Sequence, residues 1–150
     1  MQTLSNEAPA RILVIDDHAG HLDLILGLLK MFGFVSLAAA EAESGLETAR
    51  HEQPDLIVCS IQLPGISGYE FARRIKADPN LGSLPLMAMG AFAVARDRGK
   101  ALKAGFNTYV SKPIDPDMFL EELAALLPPG QPRTPALTAG PAYFRAWWKA

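Results

Sequence analysis

Pro54-Asp55-Leu56-Ile57-Val58-Cys59-Ser60-Ile61-Gln62-Leu63-Pro64-Gly65-Ile66-Ser67-Gly68 joins an unbroken apolar run to a tight loop of proline and glycine. A run apolar at successive positions, not alternate ones, fits a strand buried on both faces, as in a parallel sheet. The loop ends in Ser67-Gly68-Tyr69-Glu70, where serine and glutamate have the spacing of a capping box at a helix start. One strand, one loop and one helix start therefore lie within a short stretch, with Ser60 at the strand's carboxyl end.

The same unit recurs on either side. Strand candidates at residues 11–15, 35–39, 56–59, 86–89 and 108–110 alternate with helical patterns. Leu22, Ile25, Leu26, Leu29 and Phe32 form one apolar stripe, and a shorter helix is predicted at 43–51. After Ser67, Phe71, Ala72 and Ile75 make an inner face, and a fourth helix runs from about Phe92 to Gly105, a residue suited to a left-handed turn. Asp115 caps the last helix with Pro116 at its first position, and Phe119, Leu120, Leu123, Leu126 and Leu127 form its apolar side. The alternation predicts an α/β fold, a doubly wound parallel sheet with helices on both faces.

Residues 1–10 read as an extension, 11–127 as the domain, and 128–150 as a proline- and glycine-rich tail ending in an aromatic segment. With 150 residues, a formal charge of -2 and 49% hydrophobic residues, the chain has the balance of one globular domain without a basic face for nucleic acid. No run approaches a membrane-spanning length and no signal peptide is read at the start, so a cytoplasmic location is expected and a membrane is not expected as partner. Cys59 is the single cysteine; it excludes an internal disulfide and reads as a buried thiol.

Ligands of open parallel sheets gather at the strands' carboxyl ends. Those ends carry Asp16 and Asp17, Ser60, Gly90, and Lys112 with Pro113. Adjacent carboxylates beside a lysine suit an acidic pocket that takes a hard divalent ion. His18 reads as a solvent-facing helix-start residue, and His21 and His51 are assigned no chemistry.

Over residues 11–127 the chain resembles the response-regulator receiver family. The resemblance rests on Ile12-Leu13-Val14-Ile15-Asp16-Asp17, on the quoted stretch, and on Lys103-Ala104-Gly105-Phe106-Asn107-Thr108-Tyr109-Val110-Ser111-Lys112-Pro113-Ile114. The loop 61–68 and Ala91-Phe92-Ala93 look most like single-domain receivers of the cell-cycle type. The resemblance implies a flavodoxin-like strand order 2-1-3-4-5. It also implies an aspartate at the end of the third strand that takes phosphate from a phosphohistidine beside Mg²⁺. Asp16, Asp17 and the Gln62 carbonyl match its metal donors, Lys112 its phosphate-steadying lysine, and Tyr109 its mobile aromatic.

Two positions depart from that pattern. Ser60 stands where the acceptor aspartate is expected, and Gly90 stands where a threonine or serine would turn to the phosphate. A serine hydroxyl needs a positioned base to attack phosphorus, and one fewer carboxylate weakens Mg²⁺ binding. The expectation is a phosphorylation-independent interaction module without catalytic activity, needing no cofactor and binding Mg²⁺ weakly at most. The expected partners are a histidine kinase, another response regulator or other signalling protein, or a second copy of the chain. Arg98, Lys103, Tyr109, Trp147 and Trp148 are the candidate contact residues. Two alternatives stay open: phosphate acceptance by Ser60 or a neighbouring aspartate, and a pocket for a small ligand.

Overall fold

The computed structural model describes residues 9–91 and 95–127. Five strands, β1 (Arg11–Ile15), β2 (Val35–Ala39), β3 (Leu56–Ser60), β4 (Leu86–Gly90) and β5 (Thr108–Ser111), alternate with five helices, α1 (Ala19–Met31), α2 (Ala42–Glu52), α3 (Gly68–Ala77), α4 (Ala95–Ala104) and α5 (Pro116–Leu126). The strands form one sheet in the order β2-β1-β3-β4-β5, and every pairing is parallel. This is the doubly wound sheet predicted from the alternation, in the flavodoxin-like order that the resemblance implied.

Side chains on a strand alternate between faces, and here both faces are covered. Ile12, Val14, Leu56, Val58, Met87, Met89 and Val110 pack with Ile25, Leu28 and Leu29 of α1 and Phe119, Leu120 and Leu123 of α5. Leu13, Ile15, Ile57, Cys59, Leu86, Ala88 and Tyr109 pack on the other side with residues of α2, α3 and α4. Fully burying one such large side chain contributes on the order of 2 kcal/mol, so two complete layers fix the strand register.

The helix ends follow the sequence with small differences. Asp115 accepts from the backbone N–H of Asp117 and Met118 at 3.0 and 3.4 Å, and Pro116 occupies the first turn. Ser67 accepts from the Glu70 N–H at 3.3 Å. Glu70, expected to complete a reciprocal box, instead directs its carboxylate to Arg73 and Arg74, both at 3.1 Å. Charged donors one turn further along hold it more strongly than a backbone N–H. Gly105 ends α4 with φ of 125°. The described part of α4 begins at Ala95, and the expected start near Phe92 lies outside the described residues, as does Ala93. So does the aromatic tail with Trp147 and Trp148.

Gly68 brings α3 close to the site. A Cβ there would lie 2.3 Å from the Ser60 carbonyl oxygen and 2.8 Å from Ile61 Cα. Only a glycine permits that approach, in which the Gly68 N–H donates to the Ile61 carbonyl at 2.8 Å.

Candidate functional site

At the carboxyl end of β1, Asp16 still belongs to the sheet edge: its N–H donates to the Ala39 carbonyl at 3.1 Å. Its side chain is fully buried, whereas Asp17 is exposed. The two adjacent carboxylates thus have different surroundings, because successive side chains leave a strand in opposite directions.

Asp16 Oδ1 accepts from the His18 backbone N–H at 3.0 Å. Its Oδ2 meets the Lys112 ammonium at 3.2 Å and the ring Nδ1 of His21. Burial pushes the Asp16 carboxyl up, but the His18 N–H, His21 and Lys112 together outweigh it and hold the group below the ordinary carboxylate range. Lys112 Nζ also donates to Ser60 Oγ at 3.1 Å, so one ammonium joins β1, β3 and β5. The peptide bond that follows Lys112 is cis.

His21 joins this site, against the expectation that it carries no chemistry. Its position is explained by the stripe it heads: His21, Ile25 and Leu28 lie at i, i+4 and i+7 and share the inward face of α1. His18 is exposed, and its Nδ1 accepts from the His21 N–H at 3.1 Å as the helix cap.

Ser60 is 2% exposed. The hydroxyl faces an ammonium, and an ammonium donates protons and accepts none. Asp16, the buried carboxylate of the cluster, is engaged by three donors, so its power as a base is reduced. Beside it, burial and the negative charge of Asp16 push the Cys59 thiol far up, which makes it an inert structural group.

The end of β4 differs. A Cβ at Gly90 would lie 1.9 Å from the Tyr109 hydroxyl oxygen and 2.6 Å from its Cζ, so the tyrosine tip lies over the glycine. Tyr109 is 5% exposed, with the Arg98 guanidinium 5.7 Å from its ring centre. Burial, then the charge of Asp97 and the nearby Tyr69, push its hydroxyl pKa up, and Arg98 offsets this only in part. Tyr109 was expected on an interaction surface; it is buried instead, because a residue without a side chain leaves room for its ring. Arg98 and Lys103 are exposed on α4, and Lys100 lies 4.8 Å over the Tyr69 ring.

A cavity of about 540 Å³ lies between these aromatic rings, with Gln62, Ser67, Tyr69, Gly90, Lys100 and Tyr109 among its lining. The donors expected to hold a divalent ion are differently engaged. Both Asp16 oxygens are taken by protein donors and Ser60 supplies a neutral hydroxyl already bonded to Lys112, whereas Asp17 and Gln62 are exposed. Among the described residues no three His, Cys, Asp or Glu side chains gather as a metal-holding group. Nor is any described helix long and apolar enough to cross a membrane.

Comparison with known proteins places this site in context. Residues 12–124 match the model of the response regulator receiver domain. The polar-differentiation response regulator DivK of Brucella anthropi is 31% identical over 119 residues, 79% of this chain and 97% of that protein. The receiver domain of a sensor histidine kinase from Pseudomonas aeruginosa, solved with magnesium in its active-site cleft, is 28% identical with a TM-score of 0.74. That match covers 79% of this chain and 98% of the solved one. The chemotaxis response regulator CheY4 of Vibrio cholerae shares the fold at a TM-score of 0.76 and 20% identity, over 79% of this chain and 99% of its own.

Proposed function

The chain belongs to the response regulator receiver domain family of two-component signalling, and on that premise we propose that it is a pseudo-receiver, an interaction module that works without phosphorylation. The observation that carries this reading is the bond from the Lys112 ammonium to the Ser60 hydroxyl. The acceptor position holds a hydroxyl with a proton donor against it, and the buried carboxylate of the cluster, Asp16, is already engaged by three donors, which is the reverse of an activated nucleophile.

Gly90 supports the same reading from the sensing side. A phosphate could not be detected by a hydroxyl that is absent, and the ring of Tyr109 already lies where such a side chain would stand. The domain is thereby held in one arrangement. It acts by binding a histidine kinase, another response regulator or a further signalling protein in the cytoplasm, with no metal required and no reaction of its own. The exposed Arg98 and Lys103 on α4 give that partner a basic face.

The test is intact mass after incubation with Mg²⁺ and acetyl phosphate, beside a Ser60→Asp variant. No added phosphate on the natural chain is expected. A phosphate adduct would overturn the reading, and loss of the adduct in hydroxylamine would place it on a carboxylate instead of Ser60. The cavity near Tyr69 and Tyr109 favours a second reading, a site for a small ligand, which soaking a crystal with a fragment collection would reveal.

A further inference from the structure

Asp16 is the one fully buried carboxylate of the described residues, and its charge is balanced from inside the protein. The donors come from three places in the chain: the His18 N–H before α1, the His21 ring in the first turn of α1, and Lys112 after β5. With the Lys112 ammonium on Oδ2 and a backbone N–H on Oδ1, Asp16 is placed as an ionised acceptor. The Nδ1 of His21 is therefore the donor in their contact. Its side chain is 14% exposed.

We propose that His21, together with Lys112, occupies the place on Asp16 that a divalent metal would take, so that an imidazole of the chain itself stands in for the ion. The geometry is specific to Oδ2, the oxygen that both side chains share. A Mg²⁺ ion needs oxygen donors in near-ideal octahedral array and gives up its own water reluctantly. To reach Asp16 Oδ2 it would have to displace the His21 ring and the Lys112 ammonium, and at the end of β3 it would meet a neutral Ser60 hydroxyl already bonded to Lys112. His21 is thus a positioning residue, which fixes the carboxylate and closes it to cations. This goes beyond the proposed function, since a receiver could fail to accept phosphate and still bind metal.

The test is a Mg²⁺ titration by calorimetry and by amide chemical shifts of the whole chain, its His21→Ala and His21→Gln variants, and Ser60→Asp. The natural chain is expected to give no saturable response at millimolar Mg²⁺. His21→Ala should give one, with affinity raised roughly tenfold or more, the size of effect that groups bonded to a ligand carboxylate have on metal binding. His21→Gln, which keeps a donor, should stay close to the natural chain. Should His21→Ala not fold, His21→Leu keeps an apolar side chain of similar bulk on α1 and removes the donor, with the same expectation. Mg²⁺ binding by the natural chain as tight as by His21→Ala would overturn the inference. So would a silent His21→Ala or His21→Leu beside a responsive Ser60→Asp, because the missing carboxylate would then be the whole cause. A natural chain that bound Mg²⁺ yet took no phosphate would remove this inference and leave the proposed function standing.

Discussion

At the end of β1 a single buried carboxylate receives donors from three parts of the chain, while at the end of β4, two strands away, a glycine offers no side chain and the ring of Tyr109 lies over it. One corner is filled with polar partners and the other is filled by an aromatic ring from the next strand. Both arrangements leave little to rearrange. Under the proposed function, the first would deny a cation its place and the second would deny a neighbouring side chain the space to swing. Loss of a switch would then take two physical forms in one site: charges satisfied internally, and volume occupied in advance.

The comparison is broken most strongly at Lys112. Lys112→Ala takes the ammonium from a fully buried carboxylate and leaves the Ser60 hydroxyl without its donor. With His21 and the His18 N–H still in place, the expected loss in a urea unfolding experiment is about 2–3 kcal/mol. An unchanged unfolding midpoint would mean that this corner is not held together by its charges.

Gly90→Ala acts on the other corner, with a smaller effect. The new Cβ cannot share space with the Tyr109 hydroxyl, and since that hydroxyl is the far end of a side chain, the ring turns out toward solvent. The expected stability loss is about 1 kcal/mol, because the lost burial is partly offset by the preference of a strand for alanine over glycine. The sharper readout is the phenol absorbance titration, where the Tyr109 hydroxyl should fall back toward its ordinary value of 10.0. A titration curve identical to that of the natural chain would show that the ring had not moved.

The smallest expected effect is the acid limb of stability. Asp16 titrates lower in the folded state than its usual 3.8, so its contribution is fully present above that value and fades as pH falls through the lower folded value. The side chains that face it are the His21 ring and the Lys112 ammonium, with Asp17 next to it in the chain. Asp16→Asn should flatten that part of the pH profile, measured by thermal unfolding; a profile as steep as before would assign the acid sensitivity to other carboxylates.

The architecture was legible in the sequence because each strand of a two-sided sheet is apolar at successive positions and each helix carries one stripe. The cap at Asp115, the glycine turn at Gly105 and the strand-end places of Asp16, Ser60, Gly90 and Lys112 could be read the same way. Two features of the site could not. His21 sits on a helix whose stripe was read from its leucines, and a polar residue at the head of a stripe looks like a surface residue until the strand-end carboxylate is placed against it. The i, i+4, i+7 spacing with Ile25 and Leu28 was the available signal. The inward ring of Tyr109 depends on a contact between residues of different strands, Gly90 and Tyr109, and no local pattern encodes a contact of that kind.

The most direct test of a site held in one arrangement is the amide correlation spectrum of the natural chain with and without acetyl phosphate and Mg²⁺. The account predicts superimposable spectra, with no shifted resonances at Ser60, Gly90 or Tyr109. Concerted shifts along the ends of β3, β4 and β5 would show a working switch and contradict it.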